Sequence, residues 1–106
     1  VTGEPGSQAE ALRQRTKAFA LRVVRFCRAL PNTDEARVIR RQLLRSATSV
    51  AANDRAAGRA RSRREFAANL GVVLEEADET EVWIELTVDA ERTRDLLSAR
   101  LRKVSS

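Results

Sequence analysis

Apolar residues recur along this chain at alternating steps near three and four, the spacing of a helix with one buried face. At ~100° per residue, Leu12, Thr16, Phe19, Val23, Phe26, Cys27 and Leu30 fall on one stripe, while Arg13, Lys17, Arg25 and Arg28 point elsewhere. The pattern predicts a first helix over residues 8–30, stopped where Pro31 disfavours helical geometry at Leu30. A second helix over 34–57 carries Ile39, Leu43, Val50 and Ala57, with Asn32, Thr33 and Asp34 as its possible N-caps. Gly58 suits the left-handed position just past its end. Ser62 and Glu65 then form an S-x-x-E capping box that opens a third helix over 63–87. This helix sets Phe66, Leu70, Val73, Ala77, Thr80, Ile84 and Thr87 on one face. Asp89 is placed to cap a short fourth helix over 90–104, with Leu97, Leu101 and Val104 as its apolar residues. The connection through Arg59, Ala60 and Arg61 is short enough to make helices two and three antiparallel. The expected fold is all-α, a four-helix bundle over 8–106 behind a flexible leader, VTGEPGS, at 1–7.

Two further stripes break the simple division into core and surface. On helix two, Gln42, Ser46, Ser49 and Asn53 sit at offsets 0, 4, 7 and 11, within about 40 to 80° of the apolar stripe. Partly buried hydroxyls and amides need partners, so this polar stripe is expected to fix packing register between helices, with a polar pore or ligand site as the functional alternative. On the back of helix three, Val72, Val82, Trp83 and Leu86 lie away from its core face and include the only tryptophan. They suggest a second buried surface, an oligomer interface unless the fourth helix covers them.

Composition narrows the chemistry. The chain has 106 residues, 42% hydrophobic but only 4% aromatic, so one domain with an aliphatic core is expected. There is no histidine, which removes the usual general base and the usual zinc ligand. The acids Glu75, Glu76, Asp78, Glu79, Glu81 and Glu85 spread around helix three with no matching cluster on helices one or two, so they read as a solvated or ion-paired face and not as a metal site. With no nucleophile–base pair and no glycine-rich phosphate loop, the expectation is no enzyme, no metal and no cofactor. The single cysteine, Cys27, lies on an apolar face and reads as a small buried hydrophobe, in keeping with a reducing cytoplasm. No run approaches the ~18 apolar residues of a membrane span.

Charge changes the picture more. Residues 1–64 carry 15 basic and 5 acidic groups, a net +10, and residues 65–106 carry 5 basic and 10 acidic groups, a net −5. The two halves can attract each other, within a subunit or between subunits, or the first can present a polyanion-binding face. Arg55, Arg59, Arg61, Arg63 and Arg64 gather around the turn between helices two and three. Guanidinium forks suit phosphates, so these five are the candidate nucleic-acid-binding residues. Only Phe66 is close enough to stack a base, and its spacing assigns it to the core.

QLLRSATSVAAN at 42–53, RARSRREF at 59–66 and LEEADETEVWIEL at 74–86, together with FALRV and LP in the first helix, resemble the four-helix bundle proteins of the 23S rRNA-intervening-sequence family over about residues 12–88. Asp54, Ala56 and Val82 depart from that pattern. The resemblance implies an up-down-up-down, left-handed bundle, a ring-shaped homopentamer, and no enzymatic activity. A related bundle protein, the accessory variability determinant of diversity-generating retroelements, is a basic pentamer that binds nucleic acid and a reverse transcriptase. By analogy of fold it makes RNA or DNA, and a nucleic-acid enzyme, candidate partners here.

Overall fold

The computed structural model describes residues 7–105, so residues 1–6 of the expected leader lie outside the described residues. Three helices follow in order: α1 (Ser7–Ala29), α2 (Asp34–Gly58) and α3 (Arg63–Ser105). No strand occurs among the described residues. α1 ends one residue before the expected position, ahead of Pro31. Thr33 is the N-cap of α2: its backbone is extended and its hydroxyl accepts from Ala36 N at 3.2 Å, satisfying one of the orphan donors of the first turn.

The turn from α2 to α3 departs from expectation at Gly58. That residue is the last of α2 and keeps a negative φ. The helix closes instead by tightening, with Arg59 N donating to Ala56 O at 3.0 Å and Ala60 N donating to Ala57 O at 3.1 Å. The Ser62–Glu65 box forms in part: Glu65 N donates to Ser62 Oγ at 3.1 Å, while the Glu65 carboxylate reaches back to Arg61 N at 3.3 Å.

The fourth helix is absent as a separate element. α3 runs unbroken for 43 residues, about 64 Å at the helical rise, which accounts for a molecule 68 Å long and only 23 × 18 Å across. Asp89, expected to cap a new helix, lies inside α3, and its carbonyl accepts from Thr93 Oγ1 at 2.9 Å as in any helical turn. The stretch Thr87–Ala90 contains neither proline nor glycine, so a capping residue alone did not force a stop. α1 and α2 are about 35 Å long, so the C-terminal part of α3 extends well past them.

α2 is the central helix. α1 and α3 both pack on it, and no Cα of α1 lies within 8 Å of one in α3. The core is centred on Val23, Cys27, Leu43 and Ala47, with Phe19, Phe26, Leu30, Ile39, Leu44, Trp83 and Ile84 packed around it. The second-helix stripe is as expected, Leu43, Val50 and Ala57 being buried and Ile39 half-buried. The other two stripes are less covered: Leu12 and Phe66 are exposed, and only Thr80 and Thr87 of all α3 are buried. That pattern follows from the missing neighbour between α1 and α3.

Polar side chains in the core are individually satisfied. Thr80 and Ser46 are wholly buried with their hydroxyl oxygens 2.7 Å apart, and Thr80 donates onward to Glu76 O at 2.7 Å. Since Thr80 has one hydroxyl proton, Ser46 is the donor between them. Asp54, also buried, lies 3.3 Å from Thr16 Oγ1, whose single proton it shares with Arg13 O at 3.1 Å. At the other end, Arg40 donates to Cys27 O at 3.2 Å, Leu30 O at 3.2 Å and Pro31 O at 3.3 Å, so one guanidinium from α2 caps the carbonyls at the end of α1. Burial raises the Cys27 thiol above its ordinary pKa, with Arg40 pulling the other way.

Candidate nucleic-acid interface

The α2–α3 turn brings the five candidate arginines to one end of the molecule. Arg55 is in the last turn of α2, where a cation is favoured by the helix dipole. Arg63 and Arg64 open α3, where the dipole disfavours cations by roughly 0.3–1 kcal/mol each. Two arginines at that position run against local helix chemistry, and such violations concentrate at functional sites. All five side chains are exposed, and none is ion-paired among the described residues.

The antiparallel packing of α1 on α2 extends this end. The Thr16–Asp54 hydrogen bond sets the start of α1 beside the end of α2, so exposed Arg15 and Lys17 sit level with Arg55. Arg13 is partly neutralised by Glu10 at 3.4 Å. The basic surface is therefore larger than the arginine turn. The signal for Arg15 and Lys17 was the helical-hairpin register, in which residues near 15 and near 55 lie opposite one another. Phe66, expected in the core, is 46% exposed one turn into α3, so the basic end does carry one accessible ring.

Glu65 is the one α3 acid at this turn, where its carboxylate accepts from Arg61 N; the acids that pair with α2 lie further along the helix. Glu76 and Glu79 pair with Arg45 of α2, Glu76 at 3.1 Å, and Arg45 also donates to Gln42 Oε1 at 3.3 Å. Attraction between the basic and acidic halves thus operates midway along α2, away from the turn. Within the polar stripe, Gln42 joins this network and Ser46 bonds Thr80, whereas Asn53 bonds only Ser49, at 2.9 Å to its carbonyl and 3.0 Å to its hydroxyl. The upper half of the stripe links α2 to α3 and the lower half is local.

The second apolar surface is divided. Trp83 packs against the core cluster and Val72 is half-buried, while Val82 and Leu86, four residues apart, are 52% and 53% exposed. No group of His, Cys, Asp or Glu among the described residues is arranged to hold a metal ion. No helix among them is long and apolar enough to cross a membrane.

Comparison with known proteins gives a consistent picture. The family model for the 23S rRNA-intervening sequence protein matches residues 10–103. A crystal structure of a protein of unknown function from the S23 ribosomal protein family of Bacteroides thetaiotaomicron is 38% identical, with a TM-score of 0.72, over 79% of this chain and 75% of that one. No curated protein matches the chain.

Proposed function

This chain belongs to the 23S rRNA-intervening sequence protein family, and from that premise we propose a non-enzymatic helical scaffold that grips RNA or DNA by its phosphate backbone. One observation carries the reading: Arg55, Arg59, Arg61, Arg63 and Arg64 are exposed and lack ion-pair partners at one end of the helices, with Arg15 and Lys17 alongside. Arginines held by rigid helix ends lose little freedom when they meet phosphate, and their planar forks match its oxygens. Contacts of this kind position a duplex without reading its sequence.

The test is binding of a fluorescent duplex across a salt series. Affinity should fall steeply with salt and differ little between sequences. Replacing Arg59, Arg61, Arg63 and Arg64 by Gln should flatten the slope of log K against log salt by up to about 3–4. An unchanged slope in that variant, or no binding at low salt, refutes the proposal.

Self-association is a second reading, favoured by the exposure of Val82 and Leu86 and of four apolar residues near the C-terminus, Leu96, Leu97, Leu101 and Val104. Surface of that extent marks an interaction site in a small protein. A left-handed four-helix bundle of up-down-up-down order needs a helix beside both α1 and α3, and the resemblance implies five such bundles in a ring. Sedimentation equilibrium gives the mass directly, and a stable monomer at micromolar concentration would exclude this reading.

A further inference from the structure

We propose that Phe66 is a stacking platform for one unpaired base, so that the basic end takes a duplex where it gives way to single strand, a role that rests on the phosphate grip proposed above and names the form of nucleic acid it fits.

The ring is out of place for a core residue. By spacing Phe66 belongs to the stripe that Leu70, Thr80, Ile84 and Thr87 continue, yet it is 46% exposed. Leu12, on the core stripe of α1, is likewise 39% exposed. Both sit at the same end of the molecule. The Thr16–Asp54 contact sets Leu12, one turn before Thr16, level with Gly58 at the end of α2, and Phe66 lies one turn into α3. α1 and α3 keep their backbones apart, so neither residue is closed over by the opposite helix. Beside the arginine turn there is thus an apolar opening with an aromatic ring at its edge.

The neighbours of the ring suit a nucleotide. Arg63 and Asn69 lie three residues before and after Phe66, the spacing of neighbours on one helix face. Arg63 is exposed and has no ion-pair partner among the described residues, so its fork can hold the phosphate of the nucleotide whose base meets the ring. Asn69 is half-buried, and its side-chain amide has no hydrogen-bond partner among the described residues. An amide carries both donors and an acceptor, so it can meet the edge of a stacked base. Glu65 does not stand in the way: it is turned about 100° around the helix from Phe66, and its carboxylate accepts from Arg61 N.

The number of rings sets the form of the ligand. A base inside a duplex has both faces covered by its neighbours, so a phenyl ring stacks only on a base that is unpaired. Surfaces that take single strands alone present several rings to successive bases. This end has one ring, set among the exposed cations Arg15, Lys17, Arg55, Arg59 and Arg61. Most contacts therefore go to phosphate, and one goes to a base.

The experiment measures the affinity of the full chain for fluorescent probes at low salt: a short blunt duplex, the same duplex with a single-stranded overhang, and the same overhang made abasic. The two overhangs carry the same phosphates, so a difference between them belongs to the bases. Each probe is made in RNA and in DNA, and whichever shows the difference names the strand bound. The intact overhang should bind about 5-fold or more tightly than the abasic one, and Phe66→Leu, which keeps an apolar side chain at an exposed position, should bring that ratio to about 1. Equal binding of the two overhangs by the unaltered chain overturns the platform and leaves the phosphate grip standing. A preference that survives Phe66→Leu overturns the assignment to this ring. No binding of any probe overturns both the platform and the grip. The ratio measured on the unaltered chain decides the matter even where the variant fails to fold.

Discussion

Replacing Thr80 by Val tests the polar register between α2 and α3 with almost no change in shape. Thr80 is wholly buried, donates to Glu76 O at 2.7 Å and accepts from Ser46 at 2.7 Å. Each such bond contributes about 1 kcal/mol net, and an orphaned buried hydroxyl costs about 1–3 kcal/mol. Ser46 has a fallback acceptor, Leu43 O at 3.4 Å, which holds the loss to the lower part of that range. The expected destabilisation is about 1–2 kcal/mol. Ser46→Ala should cost less, about 0.5–1 kcal/mol, because Thr80 keeps its bond to Glu76 O. The double variant removes both polar groups, so it should be about 1 kcal/mol less destabilised than the sum of the two singles. Urea unfolding followed by circular dichroism at one fixed protein concentration measures all four chains, with concentration fixed because assembly shifts apparent stability. Additive losses would refute the reasoning, since they would mean the two hydroxyls do not interact in solution.

Four further outcomes follow from other parts of the fold. Arg40→Met should destabilise by about 1–3 kcal/mol in urea unfolding, because Leu30 O and Pro31 O lose their donor and Cys27 O keeps only Leu30 N, whereas Arg37→Ala, which breaks an exposed pair with Asp34, should cost under about 0.5 kcal/mol. Gly71→Ala should raise stability by up to about 1 kcal/mol, since a Cβ there meets nothing within 4 Å and glycine is costly inside a helix. Cys27 should react with thiol reagents only at the rate of unfolding, measured by absorbance against a urea-unfolded control. Its raised pKa gives a stability present below the ordinary thiol range and lost as pH rises through and above about 8.5; Cys27→Ala should flatten that part of the pH–stability curve.

Local rules made the first two helices legible. Pro31 and the Thr33 cap bound them, and the 3–4 spacing of Val23, Cys27, Leu43 and Val50 marked their buried faces. The α2–α3 turn was legible from Ser62 and Glu65, but the fate of Gly58 was not, because a helix can close by tightening its last turn without any left-handed residue. The missing break in α3 is a limit of capping logic: Asp89 suits a cap and is also tolerated inside a helix when no proline or glycine stops the chain. Reading Leu97, Leu101 and Val104 as a separate short helix hid that they belong to the same unbroken helix as Thr80 and Thr87. Trp83, projected away from the core face, packs against the core cluster all the same, because it lies three residues from Thr80 and four from Thr87 on the helix. Arg40 could not be found from spacing, because its role is defined by the ends of another helix. The arginine cluster was visible in the sequence; that it stays unpaired was not, because the acids that pair across α2 and α3, Glu76 and Glu79, meet Arg45 away from the turn.

The most direct test of the proposed grip is a backbone amide chemical-shift map of the full chain titrated with a short duplex at low salt. The account predicts that perturbations concentrate over residues 55–66 and at Arg15 and Lys17, and are small at Arg22, Arg25 and Arg28. Perturbations centred on those three α1 arginines, or none anywhere at low salt, would contradict it.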